Sequence, residues 1–181
     1  ARMVRDFRDD LPGGFFFTAA GSDGAPVRKK DIYDGAIPSG NSVAMLNLLR
    51  LAGLTGDSGL EETAAEIPAA FMSEIARMPS SHCFFLIAAD FALGPSLEIV
   101  VAGKKESPET IGMLQALQSR FIPNKVVLLR ETGRETGISD LAEFIRPMSA
   151  LDGKTTAYVC TGHACAKPVT SAAEMMELLK E

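Results

Sequence analysis

The stretch from Asp31 to Asp57, DIYDGAIPSGNSVAMLNLLRLAGLTGD, decides how the rest of the chain is read. Asp34, Gly35, Pro38, Ser39, Gly40, Asn41 and Ser42 crowd turn-forming and hydrogen-bonding groups together, and an almost wholly apolar run follows. Val43, Met45, Leu46, Leu48, Leu49, Leu51 and Ala52 cover most of the circumference of a helix expected from about Ser42 to Ala52. Only a narrow polar stripe, Asn47 and Arg50, is left. A helix apolar nearly all round is buried on several sides, and Gly53 and Gly56 can end it. The first part of the chain is therefore expected to be a helical body.

Working outward, GGFFFTAAGSDGAPVRKK predicts a small β-hairpin flap. Phe15 to Thr18 form one arm, GSDG the turn and Val27 to Lys30 the return. A second helix is expected from Ser58 to about Arg77, because Leu60, Ala64, Ile67, Phe71, Ile75 and Met78 recur at spacings of three and four. Pro68 inside that pattern predicts a kink or a split. A third helix is expected from PSSH onward, capped by Ser80 or Ser81 and carrying Cys83 to Phe91. These helices hold more apolar surface than they can cover among themselves. More helices upstream, or self-association, are expected to close the core. The absence of an initiator Met points the same way, to a fragment of a longer protein.

The grammar changes near Gly94-Pro95. Residues 1–94 are expected to form the helical part with its flap, and residues 95–181 a small α/β segment. The α/β segment reads as strand Leu97 to Ala102, helix Pro108 to Phe121 and strand Lys125 to Arg130. A short helix from Ser139 to Ile145, strand Thr155 to Cys160 and helix Ser171 to Leu179 complete it. Ser107 caps a helix with Pro108 at its first position, and Ser171 to Glu174 form a capping box. Strands separated by helices predict a mostly parallel three-stranded sheet. Val100, Val101, Val126, Val127 and Leu128 make the continuous apolar runs of strands covered on both faces.

Composition excludes several classes. The 181 residues are 46% hydrophobic and 23% charged, as in an ordinary globular protein. A net charge of −5 argues against a nucleic-acid partner. No apolar run is long enough for a membrane span, and residues 1–10 are too charged for a secretion signal. Three cysteines leave at least one unpaired, which points to a reducing, cytoplasmic compartment.

Three stretches carry candidate chemistry. Asp34, Ser39, Asn41 and Ser42 form a polar cluster at a helix mouth. One Ser or Asn suffices as a cap, so the surplus groups suit a pocket for a polar small molecule such as a sugar. In VCTGHACAKPVT, Cys160, His163 and Cys165 lack a fourth zinc ligand nearby, and C-x4-C is not a thioredoxin-type redox pair. Two small buried thiols are favoured there over a disulfide, and no metal is expected. VAGKKESPET is a glycine-containing strand-to-helix turn without the G-x-G-x-x-G or G-K-[ST] of nucleotide sites, so Lys104 and Lys105 read as solvated. No cofactor is expected.

YDGAIPSGNSVAMLNLLRLAGLTGD, FIPNKVVLL and AYVCTGHACAKPVT, in that order, resemble the C-terminal part of the YyaL-type thioredoxin-domain-containing family, whose animal members are called spermatogenesis-associated proteins. The resemblance runs from GGFFFTA to MMELL. It implies a longer protein, with an N-terminal thioredoxin-like domain and an (α/α) toroid of the six-hairpin glycosidase type. This chain would supply the last toroid helices and an appended α/β segment, with the missing N-terminal part of the same protein as its partner. It implies a carbohydrate-binding or carbohydrate-active toroid by fold analogy, with Asp34 to Ser42 lining the cavity. The alternatives are a redox-linked scaffold, in which Cys160 and Cys165 exchange electrons with the thioredoxin-like domain, and a structural fragment without activity of its own.

Overall fold

The computed structural model describes residues 2–22, 27–133, 137–162 and 164–179. The chain divides into two compact units, Ala1–Ala52 with Asp57–Ala92, and Gly53–Gly56 with Leu93–Glu181.

The first unit contains α1 (Arg2–Phe7), α2 (Gly40–Thr55, which runs on into the second unit), α3 (Ser58–Arg77) and α4 (Cys83–Leu93), with a 3-10 turn at Pro79–Ser81. α2 starts before Ser42 because Ser39 caps it, its Oγ accepting the Ser42 N–H at 3.0 Å. Asp57 caps α3 by accepting the Gly59 N–H at 2.9 Å. α3 runs unbroken through Pro68, so the helix is not split there. Ala64, Ile67, Phe71 and Ile75 are all buried along one side of it. Tertiary burial of that face outweighs the one backbone donor that proline removes.

The expected hairpin is not a pair of strands. Phe15 bridges Arg8 instead, and Phe17 donates to the Lys29 carbonyl at 2.7 Å. Half of the expected turn, Asp23 and Gly24, lies outside the described residues. The physical reason is Asn41. Its Oδ1 accepts the Phe15 N–H at 2.7 Å and its Nδ2 donates to the Phe15 carbonyl at 2.9 Å. One buried side-chain amide thus takes the place of a strand partner.

The second unit is a four-stranded sheet in the order β2-β1-β3-β4, built from β1 (Leu97–Gly103), β2 (Lys125–Glu131), β3 (Thr156–Thr161) and β4 (Ala164–Cys165). Its helices are α5 (Pro108–Gln118), α6 (Ile138–Leu141) and α7 (Ala172–Glu177), with a 3-10 turn at Glu143–Ile145. Among the described residues only β1 and β2 are parallel; β3 runs antiparallel to both β1 and β4. The expectation of a mostly parallel three-stranded sheet is corrected on both counts. α6 spans only about 6 Å against roughly 23 Å for a seven-residue strand, too short to carry the chain back along the sheet as a crossover helix does. The link after β2 folds over one face and returns to the end it left, so β3 starts opposite Ala102, beside the end of β1.

The sheet is covered on both faces, as its apolar runs require. Ile99, Val101, Ala157 and Val159 pack with Met113, Leu117, Met175 and Leu179 on one side. Val100, Leu128 and Cys160 pack with Ala142, Ile145 and Met148 on the other.

Candidate functional site

Asp34, Ser39, Asn41 and Ser42 converge at the N-terminal end of α2. Fully buried Ile32 leads into the site, its carbonyl 3.1 Å from His82 Nδ1. Asp34 Oδ1 accepts the Ser39 N–H at 2.8 Å. Its Oδ2 accepts the Ser42 hydroxyl at 3.1 Å and the Phe85 N–H, in the first turn of α4, at 2.8 Å. The Ser39 hydroxyl donates to Ser42 Oγ at 2.8 Å, so the two serines relay a hydrogen-bonded chain to the carboxylate. Asn41 serves Phe15 with both ends of its amide and donates further to the Asp31 carbonyl at 2.8 Å.

Ser39, Asn41 and Ser42 are buried, and Asp34 is half-buried. Their surplus polar groups are taken up by each other and by backbone from four segments. The carboxylate caps α4 through the Phe85 N–H and braces the Ser39 cap of α2. The expected caps of α4, Ser80 and Ser81, lie instead in the preceding 3-10 turn.

The second candidate is the β3–β4 hairpin. Cys160 and Cys165 face each other in register and are joined by a disulfide, where two thiols were expected. Cross-strand pairing brings their Cα atoms to 3.9 Å, which places the sulfurs within bonding reach. Cys160 is buried, Cys165 is exposed, and Cys83 on α4 is an exposed free thiol. His163 lies outside the described residues.

A third feature sits where β1 meets α5. A cavity of about 600 Å³ opens there, lined by Gly103, Lys104, Ser107, Lys154 and Thr155 among others. Ser107 Oγ accepts the Thr110 N–H at 3.2 Å, and Thr110 Oγ1 lies 3.0 Å from Thr155 Oγ1. Lys104 and Lys105 are exposed, in keeping with solvated side chains. Sequence reasoning missed the cavity itself, because Ala150, Gly153 and Lys154 come to it from a link that was given no element.

No family model matches the chain. Over 174 residues, 96% of its length, the chain is 34% identical to spermatogenesis-associated protein 20 of Homo sapiens. Over 177 residues, 97% of its length, it is 33% identical to the protein of that name from Rattus norvegicus. The similarity fits the spermatogenesis-associated family. The chain spans only 22% of the length of each of these relatives.

Proposed function

From a match that takes in nearly all of this chain and about a fifth of each relative, we propose that it is one segment of a longer protein of the spermatogenesis-associated type. In that protein its helical unit is closed by further helices, in the manner of an (α/α) toroid. The supporting observation is a stripe along α3. Ala65, Ala69, Met72 and Ala76, spaced four, three and four apart, are all exposed. That is the spacing of a helix–helix seam, and small residues let a second helix approach closely. α4 also leaves the apolar side chains of Leu86 and Ile87 exposed. Ala69→Glu is expected to lower the melting temperature of the longer protein by several degrees while leaving this chain alone unchanged. Equal effects in both would refute the reading.

The finer reading is a carbohydrate-binding toroid, which needs polar groups at the mouth of α2 to be free for sugar hydroxyls. Asp34, Ser39, Asn41 and Ser42 already spend their hydrogen bonds inside the unit. We therefore assign them a structural role, holding α2, α4 and the Phe15 segment together. Asp34→Asn decides between the two. Loss of sugar binding by the longer protein at an unchanged melting temperature would restore the pocket; a lowered melting temperature with unchanged binding fits the structural role.

A redox-linked scaffold is the second reading, favoured by the Cys160–Cys165 bond with one sulfur-bearing residue exposed. A partner dithiol would be oxidised to its disulfide as Cys160 and Cys165 are reduced to two thiols. Incubating this chain with a reduced thioredoxin-fold protein and counting thiols tests it. No gain of two thiols would rule it out.

A further inference from the structure

We infer that the second unit holds a binding site for a small oxyanion, built on Arg130 at the carboxyl end of β2. Arg130 pairs with Ala102 across the parallel β1–β2 ladder. Strand alternation puts it on the same face as Leu128, the face covered by Ala142, Ile145 and Met148. The residue is thereby half-buried. Its Nε is buried and makes no hydrogen bond among the described residues.

A cavity of about 330 Å³ lies there, lined by Arg130, Ser139, Asp140 and Arg146. The other charged groups of the lining are engaged by the protein. Arg146 donates from Nε to the Ser139 carbonyl at 3.2 Å and pairs through Nη2 with Glu143 Oε1 at 3.2 Å. Asp140 Oδ2 accepts the Gly137 N–H at 3.1 Å. Among the described residues, Arg130 is the cation of the lining left over.

A shielded cationic donor without an acceptor is costly, and proteins rarely keep one unless something supplies the acceptor. The planar guanidinium fork accepts a carboxylate or a phosphoryl group through two parallel hydrogen bonds. The position agrees with that chemistry, because ligands of open α/β sheets bind outside the carboxyl ends of parallel strands. The ligand is therefore a small molecule presenting a carboxylate or phosphoryl group. Asp140 in the same lining weakens its binding by like-charge repulsion.

The test is a pair of titrations followed by nuclear magnetic resonance of the arginine Nε–Hε signals. The chain is held in a buffer free of phosphate and carboxylate. Inorganic phosphate is the first probe and acetate the second, and Arg130→Lys assigns the Arg130 signal. A saturable shift of that signal is expected with at least one probe. A response to acetate alone identifies a carboxylate ligand, and to phosphate alone a phosphoryl ligand. Read from the Arg146 Nε–Hε signal, which the variant keeps, Arg130→Lys is expected to weaken the responding probe by at least about tenfold, because the lysine has no fork. Asp140→Asn, which keeps both arginines, is expected to tighten it several-fold. No saturable shift with either probe, or unchanged affinity in either variant, would overturn the site.

Discussion

Asp34 Oδ2 accepts the Phe85 N–H at 2.8 Å across 51 residues of sequence. The same carboxylate takes the Ser39 N–H and the Ser42 hydroxyl, so the first turns of α2 and α4 are tied to one side chain. Asp34→Ala would leave all three donors without this acceptor. It is expected to cost roughly 2–3 kcal/mol of stability, the range for losing hydrogen bonds to a charged group. Urea unfolding at neutral pH reads this as a lower midpoint at unchanged slope. A change below about 0.5 kcal/mol, typical of plain surface positions, would mean that the tie does not matter.

Gly103 ends β1 beside Thr110 of α5 and Thr155, the residue before β3. A Cβ there would meet Thr110 Oγ1 at 2.5 Å and Thr155 Oγ1 at 2.7 Å. Gly103→Ala is expected to destabilise the chain by about 1–3 kcal/mol through overpacking. Adding Thr110→Ala should recover part of that, because the two changes share one space. Strictly additive losses would show that the clash is not the cause.

The disulfide makes a simple count. With Cys160 joined to Cys165, a thiol reagent should find one reactive cysteine, Cys83, on the untreated chain. Reduction should raise the count to the three of the sequence. The closed loop is short, so Cys165→Ser should cost only about 2 kcal/mol on the loop-entropy account. Three thiols before reduction would contradict the bond.

Acid should act on the first unit through Asp9. Lys30 Nζ donates to Asp9 Oδ2 at 2.7 Å, and this bond holds the carboxyl below its ordinary value, against partial burial that pushes it up. The Leu11 N–H adds a smaller lowering. A carboxyl depressed by folding contributes stability above its unfolded pKa and loses it as pH falls through the folded one. Asp9→Asn should therefore flatten the acid limb of the stability profile below about pH 4, the ordinary carboxyl range. An acid limb of unchanged steepness would show that other carboxyls carry it.

The sequence made α2, α3, α4 and the three longer strands legible because each carries a clean period or an uninterrupted apolar run. The gathering of Asp34, Ser39, Asn41 and Ser42 was legible too, since all four lie within nine residues of one helix start. Their partners were not. Phe15 and Phe85 supply backbone groups, which leave no mark in composition, and they lie far off in the chain. Strand direction was misread because it depends on the end of the sheet to which a link returns, and the link after β2 was treated as a crossover. Arg130 was passed over because an arginine ending an apolar strand reads as a solvated tip. Its burial depends on the segment around Ala142 and Ile145 folding over that face.

The central claim is that α3 and α4 are covered in a longer protein. Met72, 52% exposed on the α3 stripe, reports on it directly. Met72→Cys, made with Cys83→Ser, is labelled by a thiol reagent in this chain alone and in the longer protein. The expected result is fast labelling in the chain at every concentration and labelling slower by at least about tenfold in the longer protein, as for a thiol reached only when the packing opens. Equal rates in the two proteins, or labelling of the isolated chain that slows as its concentration rises, would contradict it: the first would leave the stripe uncovered, and the second would give it to another copy of the chain.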